Sequence, residues 1–202
     1  MGHDDDAADP TVWATHPVTA HRFDDFADVI NPHRRDTHCW CLSHRLRTRD
    51  IDTLGDGSRE SAARALAAGR STFGVVTYRD DVPVGWCHIA PRDEVPRLVA
   101  SKLITPIDDV PVWSIICVVV RSGHRRQGVT TRLIEGAVAY AASRRAPAVE
   151  SYPVDPQGRR MDLTMAFVGT RAMFENCGFE VVGTTAAVAS KMPRLVMRRA
   201  LD

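Results

Sequence analysis

The chain has 202 residues, 44% apolar and 25% charged, enough for one well-buried globular domain and too few for two of typical size. Its 26 Lys and Arg stand against 25 Asp and Glu, and a net charge of +1 gives no support to a general nucleic-acid binder. No run of about 18 uninterrupted apolar residues offers a membrane span, and the acidic start MGHDDDAADP has neither the basic nor the apolar region of a signal peptide. Asp6 also stands where a myristoylation signal needs Ser or Thr. Five cysteines, an odd number without disulfide-scaffold spacing, point to a reducing cytoplasm.

Residues 1–12 read as a disordered acidic lead-in to a single domain over 13–202. From Arg22 to Ile30, Phe23, Phe26, Val29 and Ile30 recur at helical spacing, and Pro32 stops the helix. Residues 33–56 are irregular in pattern. Ser58 to Gly69 reads as a helix, with Ser58 and Ser61 as candidate caps and Gly69 at its end. Phe73 to Tyr78 and Pro83 to Ala90 flank the turn Arg79-Asp80-Asp81-Val82 as a hairpin. A loop over 91–109 carries a short helix near Arg97 to Lys102, and Val112 to Val120 is a near-continuous apolar strand of the kind buried on both faces. A helix from Thr130 to Arg145 bears the stripe Leu133, Ala137, Val138 and Ala141. Ala148 to Tyr152 is a further strand. Thr170 to Cys177 is a helix with Thr170 as N-cap and Gly178 just past its end, and strands over Phe179–Thr184 and Leu195–Arg199 close the fold.

The most informative stretch is Ile115 to Leu133, IICVVVRSGHRRQGVTTRL. It passes from an apolar strand through a basic turn into an amphipathic helix. Gly128 lets backbone approach an anion closely, the free N–H groups of a helix start favour negative charge, and Arg125 and Arg126 add cationic reach. An ordinary strand-to-helix connection with solvated arginines would look the same.

Arg125-Arg126-Gln127-Gly128-Val129-Thr130 resembles motif A of the GCN5-related N-acetyltransferases (GNAT), Q/R-x-x-G-x-G/A, with Thr130 as a departure at the last position. Phe174-Glu175-Asn176-Cys177-Gly178-Phe179 resembles the Y-x-x-x-G-F that closes the last helix of that family. Gly85-Trp86-Cys87, Pro91-Arg92, Asp109 to Cys117 and Val149 to Asp155 are similar to a bacterial group of GNAT proteins mostly without assigned substrates, so the resemblance covers Phe73 to Arg199. It implies an α+β fold: a mixed central sheet of about six to seven strands, flanked by helices and splayed around an acetyl-CoA site. It further implies that Arg125, Arg126, Gln127, Gly128, Val129, Thr130 and Thr131 hold the pyrophosphate of acetyl-CoA. The backbone of Val118, Val119 and Val120 would serve the pantetheine arm and polarise the thioester carbonyl. The side chains of those valines read as core.

The catalytic groups follow the family pattern less closely. Many members carry a glutamate on the strand before the loop; Trp113 to Val120 has no carboxylate, and Ser114 stands near that place. Phe174 replaces the tyrosine that protonates the leaving thiolate, and a phenyl ring donates no proton. Glu150 is a candidate base in an apolar strand, where burial raises a carboxyl pKa, or else the structural partner of an arginine. Tyr152 reads as an acid or a sheet residue, and His88 as a base or a core histidine; water is a further route for the proton. Asp108 and Asp109 would attract a cationic acceptor or simply form a turn.

His38-Cys39-x-Cys41-x-x-His44 places four metal-type ligands within seven residues. The spacing is weak for a zinc site, buried cysteines around Trp40 account for it as well, and no metal is expected. The leading reading is an acetyl-CoA-dependent N-acetyltransferase. Its acceptor is a primary amine, on a small molecule or at a protein lysine or N-terminus, and a homodimer is in keeping with the family. The alternative is an acyl-CoA-binding regulatory protein that has lost catalysis. A dinucleotide-binding domain is excluded, because G-x-G-x-x-G and a βαβ repeat are both lacking.

Overall fold

The computed structural model describes residues 11–35, 40–54, 58–159 and 167–201. Seven strands form one mixed sheet: β1 (Trp13–Pro17), β2 (Val75–Arg79), β3 (Val82–Pro91), β4 (Trp113–Val120), β5 (Ala148–Ser151), β6 (Glu180–Ala189) and β7 (Met192–Ala200), in spatial order β1-β2-β3-β4-β5-β7-β6. All neighbours are antiparallel except β4 and β5. Among the described residues six α-helices accompany it: α1 (Phe23–Ile30), α2 (Thr48–Asp52), α3 (Ser58–Ala68), α4 (Pro96–Val99), α5 (Val129–Ser143) and α6 (Arg171–Glu175). The α+β architecture and the strand count agree with the expectation. Among the described residues no helix is long and apolar enough to cross a membrane.

Alternation along the strands divides the core between the two sheet faces. Val75, Cys87, Ile89 and Ile115 pack against Leu133, Ile134, Ala137 and Ala141 of α5. Val76, Trp86 and Cys117 point the other way, onto Phe23, Phe26 and Ala27 of α1 and onto Phe73. That second layer is aromatic: Phe26 meets Phe73 and Trp86 at centroid distances of 5.1 and 5.4 Å, both edge-on, and Trp40 stacks on Phe23 at 5.9 Å. Trp40 is fully buried there, and its indole Nε1–H donates to the Arg35 carbonyl at 3.3 Å, so this part of 33–56 is core. His38 and Cys39 lie outside the described residues. Cys41 is buried beside Trp40.

The ends of α5 and α6 share one device. Beyond α5, Arg145 takes a left-handed φ of 61°, its N–H donates to Ala142 O at 2.8 Å, and that of Ala146 donates to Ala141 O at 3.1 Å. Helix α5 therefore stops at Ser143, short of the expected Arg145. Beyond α6, Gly178 (φ 73°) donates to Glu175 O at 3.0 Å and Phe179 to Phe174 O at 3.1 Å. Phe174 and Phe179 meet edge-on at 5.2 Å, the apolar contact that accompanies such caps. The Phe-x-x-x-Gly-Phe pattern is thus a helix-ending device.

Strand β1 is absent from the sequence reading. Its five residues, WATHP, do not alternate cleanly, and it forms an edge against β2. The chain is ordered one residue earlier still: Val12 and Asp80 exchange bonds, Val12 N–H to Asp80 Oδ1 at 2.8 Å and Asp80 N–H to Val12 O at 2.9 Å. Residues 1–10 of the expected lead-in lie outside the described residues. Helix α5 approaches β1 so closely that a Cβ on Gly136 would lie 2.3 Å from Thr15 Oγ1 and 2.6 Å from Thr15 Cβ. Gly136→Val is therefore expected to cost about 1–3 kcal/mol in urea unfolding by forcing β1 off the helix. Adding Thr15→Gly should recover most of that loss.

Candidate active site

Strands β4 and β5 pair over only three positions, Trp113, Ser114 and Ile115 with Val149, Glu150 and Ser151. They then part. On its other side β4 stays paired with β3, but the register slips between His88/Ile89, opposite Cys117 and Ile115, so Ile116 is an extra residue on β4. A bulge of this kind bends the strand that carries it. Past the bulge, Arg121 N–H donates to Val84 O at 2.8 Å. Antiparallel alternation then turns the backbone groups of Val119 toward Trp86 and leaves those of Val118 and Val120 facing the gap. Their side chains are buried or half-buried, as the sequence led one to expect.

The loop after β4 carries backbone N–H groups and cationic side chains beside open space. Gly123, Arg126 and Gly128 adopt left-handed φ values of 88°, 61° and 76°. Gln127 fixes the turn: its Nε2 donates to Gly123 O at 3.1 Å and its Oε1 accepts from Arg79 Nη1 at 2.6 Å. Arg79 and Arg132 both lie 5.9 Å from the Trp13 ring, over its face. The first helical bond of α5 runs from Arg132 N–H to Gly128 O at 3.3 Å, and no side chain caps the start. The N–H groups of Val129, Thr130 and Thr131 thus have no partner within the helix. A Cβ on Gly128 would meet nothing within 4 Å, so the space above the loop is open. Arg125 and Arg126 are exposed. Open space, oriented N–H groups and two cationic side chains together fit a pyrophosphate. Thr130 offers a backbone N–H there, a group that any residue supplies.

Ser114, Glu150 and Tyr152 come together in one buried chain of hydrogen bonds. Ser114 Oγ lies 3.3 Å from Tyr152 Oη, and Tyr152 donates to Glu150 Oε2 at 2.9 Å. Glu150 Oε1 accepts from Arg198 Nε at 3.0 Å and Nη2 at 2.6 Å. Arg198 also forks onto Asp108, Nη1 to Oδ2 at 2.7 Å and Nη2 to Oδ1 at 2.9 Å. Glu150 therefore does have an arginine partner, and Asp108 belongs to the same chain. The bidentate bond from Arg198 holds the Asp108 carboxyl below its usual range. Burial, and then the charge of Glu150, push the Tyr152 phenol up to about 12. His88 is buried with its ring edge-on to Trp86 at 6.0 Å. Phe174 is buried against Gly169 and Phe179. Sequence reasoning assigned no individual role to Arg198 or Arg194; Arg198 is revealed as a partner only by the register that sets it opposite Glu150.

A cavity of about 330 Å³ opens beside Ile116, on the side of the sheet that carries α4. It is lined from residues 97–104, 167–168 and 186–188 and by Arg194. The loop over 91–110 contributes to it, and no described residue of 33–56 does. Among the described residues no group of three or more His, Cys, Asp or Glu is arranged to hold a metal ion.

Two measurements test this geometry. Gly128→Val should weaken CoA binding by calorimetry at least tenfold, because its φ of 76° costs an L-residue about 1–2 kcal/mol and its side chain enters the anion's space. Unchanged affinity would remove the loop from the site. Tyr152 ionises in the folded protein near 12 against 10.0 for the free group, so its contribution is fully present below pH 10 and lost as pH rises toward 12. Urea stability should fall more steeply over that window in the native protein than in Tyr152→Phe.

A family model described as "Acetyltransferase (GNAT) family" matches residues 41–179. No curated protein sequence matches the chain. Among solved structures, the aminoglycoside acetyltransferase AAC(6')-Ib in complex with coenzyme A is 14% identical, with 94% of this chain and 95% of that one covered and a TM-score of 0.54. An acetyltransferase of the GNAT family from Streptococcus pneumoniae is 12% identical over 95% and 100%, with a TM-score of 0.53. Ribosomal-protein-alanine N-acetyltransferase from Brucella melitensis is 15% identical over 93% and 99%, with a TM-score of 0.52. These likenesses concern the fold. The family match over 41–179, the parted β4–β5 pair and the glycine-centred loop agree, and the chain belongs to the GNAT acetyltransferase family of acyltransferases.

Proposed function

We propose that the protein transfers the acetyl group of acetyl-CoA directly to a primary amine, with the pyrophosphate on the loop from Arg125 to Thr131 and the thioester in the gap beside Val118 to Val120. The observation that carries this reading is the alignment of two features on one strand: β4 ends in the anion loop, and its backbone past Ile116 faces an opening instead of β5. The odd number of cysteines supports a cytoplasmic setting.

In the reaction the amine lone pair attacks the thioester carbon, and the carbonyl π pair moves onto oxygen, where a backbone N–H of β4 in the gap stabilises it. Collapse expels the CoA thiolate and leaves the amide. Water takes the proton of the amine, since both oxygens of Glu150 are engaged by Tyr152 and Arg198. Tyr152 is assigned as the acid that protonates the thiolate: its hydroxyl turns from Glu150 Oε2 to the leaving sulfur, water returns the proton to the phenolate, and Ser114 and Glu150 hold the hydroxyl between turnovers. Its ring shares an apolar cluster with Ile116, at the parting of the strands. Burial and the charge of Glu150 keep this phenol protonated throughout the neutral range, at a cost in acid strength.

Structural neighbours have been solved with the aminoglycosides kanamycin and ribostamycin, and another is named for ribosomal-protein alanine. Small amines and protein N-termini or lysines are therefore the acceptor classes to screen. Calorimetry with CoA followed by thiol release over an amine panel tests the reading. Binding with turnover is expected; binding without turnover on any amine would favour a regulatory acyl-CoA binder, and no CoA binding would overturn both. Tyr152→Phe should lower kcat by roughly 100-fold while leaving the KM for acetyl-CoA unchanged. A full kcat in that variant would reduce Tyr152 to a packing residue.

A further inference from the structure

The cavity beside Ile116 has an unusual charge pattern for an acceptor pocket. Its described lining is apolar except for Ser101 and two arginines, Arg97 from α4 and Arg194 from β7. Arg194 is half-buried, and its Nε donates to Tyr152 O at 2.8 Å, which fixes the guanidinium at the end of β5 where the strands part. The carboxylates closest along the chain of hydrogen bonds, Glu150 and Asp108, are both taken by Arg198. No acidic side chain forms an ion pair with Arg97 or Arg194 among the described residues. Two like charges therefore face one small apolar cavity. Burial, and next the charge of Arg97, push the Arg194 guanidinium down to about 10, so it remains cationic at neutral pH while its charge is poorly compensated. An anion between the two arginines would relieve both costs, and a polycationic amine would add to them.

The rest of the cavity sets the size and the body of such a ligand. At about 330 Å³ it lies at the small end of ligand sites. Leu103 and Val188 at its rim are 55% and 68% exposed, an apolar surface that a ligand would cover.

We infer that this cavity is an acceptor subsite for a small amine that also carries an anionic group, carboxylate or phosphate-like, on an apolar body, with Arg97 and Arg194 receiving the anion. An apolar amino acid is the simplest compound of this class. The inference rests on the acetyl-transfer reading for the identity of the reaction. The anion site itself is read from the cavity alone. No covalent step is added to the mechanism: the anion orients the amine toward the thioester, which shows as a lower KM.

The test uses the full chain and calorimetry with three probes, each with and without CoA: N-acetylphenylalanine, its uncharged amide, and the corresponding phosphonate. The acid is expected to bind about tenfold tighter than the amide or better. Arg97→Gln and Arg194→Gln should each bring the acid toward the amide's affinity while leaving the amide and CoA unchanged. Arg97 is exposed, so its variant stays informative if loss of the Arg194 bond to Tyr152 disturbs the fold, and Arg194→Lys gives a charge-retaining control. A phosphonate that binds tighter than the carboxylate assigns the anion as phosphate-like; the reverse order assigns a carboxylate. Equal binding of acid and amide, or equal losses for both in the variants, would overturn the subsite. CoA binding on the same samples separates the two failures. A protein that binds CoA but does not distinguish acid from amide keeps the acetyl-transfer reading and loses this one, and the converse result does the opposite.

Discussion

An opening inside a β-sheet is costly, because every backbone N–H and C=O left facing it forgoes a hydrogen bond. Here β4 and β5 leave such an opening after three paired positions, and they remain apart because each is held from its other side. Strand β4 is matched to β3 over seven positions and bent by the extra residue Ile116, while β5 is matched to β7 over four. Neither strand can swing across to close the gap without breaking the ladder behind it. The opening is thus a frustrated part of the sheet, kept open by the better-satisfied parts around it.

The closed end of the gap is held by a different kind of force. Ser114, Glu150 and Arg198 lie in one row across β4, β5 and β7, and Asp108 joins from the loop above. A buried carboxylate persists only when it is paired, and here the pairing is shared among a phenol and a guanidinium that has its own external anchor. The row does two things at once. It pins the loop bearing Asp108 onto the sheet, and it holds the Tyr152 hydroxyl against Glu150. The phosphate loop beyond β4 owes nothing to this row. It is fixed by Gln127 and by the start of α5.

Much of the fold was legible because period and punctuation were unambiguous. Phe23, Phe26 and Val29 at helical spacing give α1, Asp80-Asp81 between apolar runs gives the hairpin, and Gly178 marks the end of the last helix. The loop proposed to hold the pyrophosphate could be read for a similar reason, since its candidate groups are backbone N–H groups and local arginines within one short segment. Strand β1 was not, because WATHP holds its place by a fit to Gly136 far along the chain and not by its own pattern. The same applies to the acceptor side. That Glu150 takes an arginine was an open alternative, but only the β5–β7 register says which one. Arg194 and Ile116 share a cavity wall that no local pattern foretells. Helix α2, TRDID, is too short and polar to leave a periodic trace.

Arg79 closes β2, bonds to Gln127 in the phosphate loop and lies over Trp13 at the start of the edge strand. One side chain is therefore shared by the edge strand β1 and by the loop proposed to hold the pyrophosphate, and this links their local opening equilibria. Order imposed on the loop from outside stabilises the arginine in its present position and slows fraying of β1; loss of β1 in turn frees the arginine and loosens Gln127. On the proposed CoA reading, the edge strand β1 would become a remote gauge of occupancy, its amide hydrogens exchanging more slowly once the loop holds its ligand.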